Sequence, residues 1–218
     1  MSFKIIDLEK YERKEHFLHY LNEVPCSYSI TANIDITGIL NELKKRGYKF
    51  YPVILFAITK TANTHIEFRM ALDEKGRLGY YSFVNPTYTI FHKDDNTFSN
   101  IWTEYDGNFK RFYSNYKNDI QEYGNAKGFI TKPRTESNFI NISSIPWVSF
   151  TGFHLNISKS EKYLLPIFTV GEFFEDRKRI LLPLSIQVNH SVCDGFHTSS
   201  FINELQKMLT NYKEWFED

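Results

Sequence analysis

The sequence predicts an α+β fold, a two-layer sandwich in which a large mixed β-sheet carries helices packed on one face. Three observations lead to this prediction. Amphipathic helical patterns dominate the N-terminal part, many short segments with strand patterns follow, and a further amphipathic helical pattern closes the chain. Helices that precede and follow a block of strands, rather than alternating with them, favour one sheet covered on one side.

Five segments have the apolar periodicity of a helix. Thr37 is suited to cap the second of them, Gly47 to end it, and Pro52 to occupy the first turn of the third. The predicted helices are Glu9–Asn22, Thr37–Lys45, Tyr51–Asn63, Asn108–Tyr123 and Phe196–Tyr212.

Eight segments have the pattern of a strand. Ser27–Ile36 alternates apolar and polar residues, and Gly76 lies in the turn of a predicted hairpin. Arg179–Asn189 is almost wholly apolar in its first half, which is typical of an interior strand. The predicted strands are Ser27–Ile36, Phe68–Asp73, Leu78–Phe83, Thr87–His92, Thr97–Tyr105, Trp147–Asn156, Leu164–Phe173 and Arg179–Asn189. The stretch Gly124–Phe139 is predicted to be irregular.

The charge balance argues against nucleic acid or an anionic membrane as the main partner. Lys and Arg number 26, as do Asp and Glu, so the formal net charge is zero, and no basic stripe stands out. The N-terminus lacks the pattern of a signal peptide, and the longest apolar runs are too short to span a bilayer. We therefore expect a soluble, cytoplasmic protein. Because its composition is even, we expect a single domain over residues 1–218.

Aromatic residues make up 17% of the chain, whereas cysteines number only two. So many rings indicate either a core of large side chains alone, or such a core together with an aromatic ligand pocket or a subunit interface. Cys26 and Cys193 are far apart and outside any CxxC motif, so neither a disulfide framework nor a zinc site is expected. Each is either a small buried hydrophobe or part of a site wall.

The segment Gln187–Phe196 carries the clearest chemical signal. His190 ends the apolar strand and Gly195 precedes the last helix, so a rigid element holds the histidine at the edge of the sheet. An imidazole, with a pKa of about 6.5, can accept a proton at neutral pH, which suits a general base. The alternative is a structural histidine whose ring nitrogens form ordinary hydrogen bonds and take no part in catalysis. Asp194 can cap the helix, pair with a cation or orient the imidazole, and the structural roles are favoured.

Several segments, in the same order along the chain, resemble the chloramphenicol acetyltransferase family. The segment His190–His197, HSVCDGFH, is similar to the family's active-site signature, and Leu181–Val188 leads into it as in the family. Further similar segments are Arg13–Phe17, Tyr48–Val53 and Asn141–Val148. The resemblance covers essentially the whole chain.

The resemblance implies acetyl transfer from acetyl-CoA, as co-substrate, to the 3-hydroxyl of chloramphenicol, with no metal and no covalent acyl-enzyme. It implies that His190 is the general base, that Ser143 donates to the oxyanion, and that Thr169 holds an ordered water. Asp194 and Arg13 are implied to form a structural ion pair. The implied antibiotic pocket comprises Tyr20, Cys26, Tyr28, Phe98, Phe153 and Leu155.

The resemblance further implies a homotrimer with active sites at subunit interfaces, where the histidine comes from one chain and most of the pocket from its neighbour. Other functions stay open on the residues alone. A related acyltransferase with the HxxxDG motif would act on another hydroxyl or thiol acceptor, and a non-catalytic protein could bind an aromatic ligand. Without the resemblance, we interpret Ser143 as a strand-end or turn hydroxyl, and Tyr20, Phe98 and Leu155 as ordinary core.

Overall fold

A seven-stranded mixed β-sheet and a three-stranded antiparallel sheet form the framework of residues 2–156 and 162–216, which the computed structural model describes. The strands are β1 (Phe3–Ile5), β2 (Ser27–Asp35), β3 (Met70–Leu72), β4 (Leu78–Tyr81), β5 (Asn85–His92), β6 (Thr97–Trp102), β7 (Phe139–Ser144), β8 (Ile167–Val170), β9 (Phe174–Asp176) and β10 (Arg179–Asn189). The helices are α1 (Lys14–Leu18), α2 (Thr37–Arg46), α3 (Phe50–Thr64), α4 (Phe109–Tyr123), α5 (Gly195–Thr210) and α6 (Lys213–Phe216). Short 3-10 helices cover Leu8–Lys10 and Glu67–Arg69, and a π-helix covers His19–Glu23.

The strand order of the large sheet is β2-β10-β8-β7-β5-β6, and β9 pairs with the start of β10. Strand β7 runs parallel to both β5 and β8, whereas the other pairings are antiparallel. The predicted interior position of Arg179–Asn189 is confirmed, because β10 is hydrogen-bonded on both sides. The small sheet has the order β1-β4-β3.

The two faces of the large sheet differ in chemistry. Alternate side chains of β10, from Leu182 to Val188, are buried in the core on the side of the helices, and their partners on β2 are the predicted apolar row of that strand. The opposite face is polar. Across four adjacent strands, the paired residues Thr31, Ser185, Thr169 and Ser143 place hydroxyl groups in one row on that face.

Aromatic rings fill the space between the sheet and the helices. Phe201 of α5 stacks on Phe68 at 4.7 Å and on Phe168 of β8 at 5.2 Å, and all three side chains are fully buried. Helix α3 is buried along most of its length, so it forms the centre of the helical layer. This packing fixes α5, whose N-terminus follows directly after His190 and its turn, against the sheet.

Most predicted elements are confirmed, including the fold class of a large mixed sheet with helices. Gly47 ends α2 with a φ of 71°, and Gly76 lies in the turn between β3 and β4 with a φ of 73°, both in the left-handed region that glycine favours. The described chain contains no helix that is both long and apolar enough to cross a membrane.

Two predictions in the middle of the chain are wrong. Ile36, not Thr37, is the N-cap of α2, because the Thr37 hydroxyl instead donates to Asp35 and accepts the N–H of Ile180.

Trp147–Asn156 is not a strand. The strand lies earlier, in β7, and the later segment crosses the polar face as an extended loop held by side chains of β10. The strand of this region is therefore β7, which pairs with two neighbours.

The predicted helix Glu9–Asn22 is broken into three pieces. A 3-10 turn is followed by α1, and α1 continues as the π-helix His19–Glu23. Single π-turns widen a helix and are frequent at functional sites. Here the π-turn carries Tyr20, whose ring stacks on that of His190, so the irregularity accompanies a contact in the candidate site.

Replacing Phe201 by Ala should lower the free energy of unfolding by about 3–5 kcal/mol, because the change leaves a cavity among the three stacked rings. Urea unfolding measures the loss. The matched control is Phe196→Ala on the same helix, where the ring is 76% exposed and the change should stay within about 0.5 kcal/mol. Equal losses in the two variants would contradict the packing described here.

Candidate active site

The turn after β10 holds the backbone of His190 rigidly. The His190 N–H donates to the carbonyl of Cys26 at 3.0 Å, which extends the pairing of β10 with β2 by one residue. The side-chain oxygen of Asn189 accepts from the N–H of Ser191 at 3.0 Å and from its hydroxyl at 2.7 Å. The side chains of Val192 and Cys193 are buried in the core. The predicted placement of His190 at a strand end is therefore confirmed.

Three neighbours fix the orientation of the His190 ring. Tyr20 stacks on it with centroids 4.0 Å apart and an interplanar angle of 6°, and Tyr28 contacts it edge-on at 5.2 Å. The Nδ1 atom lies 3.1 Å from the carbonyl oxygen of Cys193. A carbonyl oxygen can only accept, so the proton of the neutral imidazole resides on Nδ1 and the lone pair on Nε2. An unprotonated Nε2 is what a general base requires.

Tyr28 also connects the site to α5. Its hydroxyl is 2.7 Å from the hydroxyl of Thr198, a fully buried residue in the first turn of that helix. Burial raises the pKa of Tyr28 to about 12, so the phenol stays neutral. Burial likewise raises the pKa of Cys26, and its side chain remains a thiol near neutral pH.

Asp194 takes both of the structural roles that the sequence favours. Its Oδ1 accepts from the N–H of Phe196 at 3.0 Å and caps α5, while its Oδ2 accepts from Nη1 of Arg13. Burial raises the pKa of Asp194, but the attraction of His197 and the hydrogen bond and charge of Arg13 outweigh this effect and hold the pKa below its usual value. Asp194 therefore shapes the turn through the ion pair instead of contacting the His190 ring.

His197 is a residue whose position the sequence interpretation did not foresee. Its side chain is only 14% exposed and lies between two carboxylates, those of Asp194 and Glu67. Its Nδ1 is 3.1 Å from the Asp194 backbone nitrogen, and its Nε2 is 3.7 Å from Glu67. The available signal was its position three residues after the cap, where a capping box places a side chain that reaches back.

Ser143 and Thr169 lie on the polar face, in cross-strand register with each other and with Ser185 of β10. The His190 ring lies on the helix-covered side, against Tyr28. His190 follows Ser185 by five positions along β10, and Ser143 is two strands away, so strand geometry separates the Cα atoms of His190 and Ser143 by roughly 19 Å. The structure therefore does not bring these two residues together within one chain.

The predicted pocket residues divide in the same way. Tyr20, Cys26 and Tyr28 surround or adjoin His190, and we call these four residues the His190 cluster. Phe153 and Leu155 lie on the opposite face, in the loop tied to the side chains of Ser185 and Gln187. Phe98 of β6 pairs with Phe91 of β5 and is half exposed.

A groove of about 500 Å³ opens at the carboxyl ends of β7 and β8, next to the first turn of α3. Its walls contain two ring pairs, Phe91 with Trp147 at 4.7 Å and Phe50 with Phe173 at 5.6 Å. Ser144, the neighbour of Ser143, also lines the groove. A groove of this volume and composition suits an elongated organic ligand.

Comparison with known proteins decides the family. The sequence profile described as chloramphenicol acetyltransferase matches residues 1–206. The chain belongs to the chloramphenicol acetyltransferase family. A chloramphenicol acetyltransferase of Clostridium perfringens is 54% identical over 215 residues, covering 99% of this chain and 98% of that one. One from Clostridium butyricum is 51% identical over 218 residues, with full coverage of both chains.

Solved structures agree with this membership. A structure described as chloramphenicol acetyltransferase superimposes with a TM-score of 0.85 at 25% identity, covering 95% of this chain and all of that chain. An Azotobacter vinelandii dihydrolipoamide acetyltransferase gives a TM-score of 0.65 at 16% identity, covering 93% of this chain and 88% of that one, so the fold extends beyond the chloramphenicol acetyltransferase family. In the part of the chain described, no three His, Cys, Asp or Glu side chains gather into a group able to hold a metal ion.

Replacing Asp194 by Asn should keep the helix cap but remove the charge that faces Arg13, whose side chain is 19% exposed. We expect the free energy of unfolding at pH 7 to fall by about 1–2 kcal/mol. This loss is smaller than for a fully buried ion pair because Asp194 is partly exposed. Because the folded pKa is lowered, this stabilisation is present above the unfolded value of about 3.9 and is lost as the pH falls through the folded value.

Urea titrations of both proteins at pH 7 and at about pH 3 measure this difference. Glu9→Gln is the control, because its pair with Lys14 is exposed on the Glu9 side and should contribute about 0–1 kcal/mol. A difference between Asp194→Asn and the unchanged protein that stays constant with pH would contradict the role of the ion pair.

Proposed function

We propose that this protein transfers the acetyl group of acetyl-CoA to the 3-hydroxyl of chloramphenicol. The observation that carries the proposal is the fixed His190 imidazole, whose Nδ1 faces the Cys193 carbonyl and whose Nε2 is left as the base. Family membership supports the reaction, because relatives up to 54% identical along nearly the whole chain are named for it. We also propose that it acts in the cytoplasm, where acetyl-CoA is available.

In the proposed reaction, Nε2 of His190 takes the proton of the hydroxyl as its oxygen attacks the thioester carbon. Such proton removal accelerates acyl transfer typically by about 10²–10⁴-fold. The carbonyl becomes an oxyanion, and collapse of the tetrahedral intermediate breaks the carbon–sulfur bond. The departing thiolate of CoA receives the proton that the imidazole holds, so His190 returns to its neutral state without a covalent acyl-enzyme.

We propose Ser143 as the hydroxyl donor to the oxyanion and Thr169 as the holder of an ordered water beside it. Two observations support Ser143. Its hydroxyl lies in one row with that of Thr169. Within the described residues, the Ser143 hydroxyl makes no hydrogen bond to another side chain or to the backbone, so it is free to donate. A well-aimed donor of this kind contributes about 2.7–4 kcal/mol to transition-state stabilisation.

We propose that the groove at the carboxyl ends of β7 and β8 receives acetyl-CoA. Its ring pairs, Phe91 with Trp147 and Phe50 with Phe173, offer apolar contact to a long flexible arm, and Ser144, the chain neighbour of Ser143, lies in its wall. In this arrangement the thioester carbonyl arrives next to the hydroxyl row. Holding donor and acceptor side by side then supplies a large part of the acceleration through proximity.

A complete site requires a second copy of the chain. His190 and Ser143 lie on different sides of the sheet, roughly 19 Å apart, whereas both must reach one tetrahedral carbon. We propose that the His190 cluster of one subunit faces the Ser143 row, Phe98, Phe153 and Leu155 of the next, with chloramphenicol between them. A head-to-tail contact of this type forms a ring when the rotation between subunits closes, and we propose the closed homotrimer that the sequence resemblance implies.

Replacing His190 by Ala should lower kcat at least about 100-fold, because the variant lacks the base. Release of the CoA thiol in the presence of acetyl-CoA and chloramphenicol measures the rate. His16→Ala, an exposed histidine on α1, is the control and should leave the rate unchanged. Turnover with dihydrolipoamide but not with chloramphenicol, or binding of chloramphenicol without turnover, would overturn the proposed reaction.

Mixing two inactive variants tests the shared site. His190→Ala and Ser143→Ala should each be strongly impaired. When equal amounts of the two variants are refolded together, however, one subunit interface in four pairs an intact His190 with an intact Ser143. We expect the mixture to recover about a quarter of the normal activity. A mixture no more active than the average of its two components would show that both residues serve the same site within one chain.

A further inference from the structure

One peptide group joins two imidazole rings at the start of α5. The Cys193 carbonyl oxygen is 3.1 Å from Nδ1 of His190, and the Asp194 backbone nitrogen is 3.1 Å from Nδ1 of His197. This carbonyl and this N–H belong to the same trans peptide, which is planar, so they point in opposite directions and can rotate only together. A hydrogen bond that fixes the direction of the N–H therefore also fixes the direction of the carbonyl.

The remaining contacts assign Nδ1 of His197 as an acceptor. The N–H of Asp194 has no other acceptor among the described residues. Nε2 of His197 lies 3.7 Å from the carboxylate of Glu67, whose negative charge favours a proton on Nε2. Nδ1 is also 2.9 Å from Oδ1 of Asp194, which accepts the N–H of Phe196 as well. A proton on Nδ1 would bind this carboxylate and leave the N–H of Asp194 without its acceptor. Arg13 holds the other oxygen and compensates the charge of that carboxylate beside the ring.

We propose that His197 is a positioning residue for His190. It holds the Cys193–Asp194 peptide in the rotation that aims the Cys193 carbonyl at Nδ1 of His190, and thereby keeps the base in the tautomer with a bare Nε2. His197 contacts neither substrate nor the His190 ring. Its effect passes through the peptide group and adds to the ion pair of Asp194 with Arg13, which holds the carboxylate but not the peptide plane.

The inference rests on the proposed function for its kinetic part only. His197→Leu removes the acceptor, and His197→Gln restores one, because a Gln at this position of a capping box reaches the backbone N–H of the cap. The matched control is His65→Leu, which removes another largely buried histidine that pairs with a carboxylate, Glu204 of α5, but has no link to the turn.

The first readout is the nitrogen NMR spectrum of protein labelled with ¹⁵N-histidine, at a pH where the rings are neutral. The chain has seven histidines, and single substitutions assign the signals of His190 and His197. In the unchanged protein we expect a protonated Nδ1 on His190 and a bare Nδ1 on His197. In His197→Leu the His190 signals should shift toward a mixture of tautomers, while His197→Gln and His65→Leu should retain the original pattern.

The second readout is acetyl transfer to chloramphenicol. We expect kcat of His197→Leu to fall about tenfold with KM within about twofold, and His197→Gln to recover most of the loss, in line with one lost hydrogen bond. An unchanged His190 tautomer with kcat equal to that of His65→Leu would overturn the inference, as would a protonated Nδ1 on His197. If the unchanged protein lacks acetyl transfer but the tautomer shifts as expected, the proposed function fails and the positioning role stands.

Discussion

The hydrogen bond between Nδ1 of His190 and the Cys193 carbonyl is the interaction on which the site depends. It decides which nitrogen carries the proton, and so leaves Nε2 of the neutral His190 ring able to accept one, as the proposed reaction requires. The rest of the local structure serves to keep this bond in place. β10 and the Asn189 side chain fix the turn, the two tyrosines hold the ring, and the cap of α5 holds the peptide that provides the acceptor.

The cap of α5 combines charge and geometry in a small volume. Glu67, His197, Asp194 and Arg13 lie in a row, and their contacts join the 3-10 helix before β3, the N-terminus of α5 and the residue before α1. Elements distant in sequence thus meet at the turn that follows His190. Because the aromatic core anchors α5 against the sheet, movement of this row is restricted on its core side.

The separation of chemistry between the two sides of the sheet constrains the mechanism. The proposed base, His190, lies on the helix-covered side, whereas the hydroxyl row lies on the opposite face and the aromatic groove lies at the carboxyl ends of β7 and β8. A sheet is too wide for one chain to join them at a single carbon. Assembly is therefore part of the chemistry we propose, since a second copy can supply the missing half of each site.

The sequence by itself determined the fold class, most element positions and the family, because periodicity and the HSVCDGFH segment are local properties. It failed where long-range contacts decide. The loop that contains Trp147 crosses a polar face and forms no strand. The Thr37 hydroxyl binds the backbone of a distant strand and does not cap its helix. A π-turn places the ring of Tyr20 against that of His190. Only the tertiary structure placed His190 and Ser143 apart and joined His197 to the Cys193–Asp194 peptide, since distances across a sheet and between turns are set by packing.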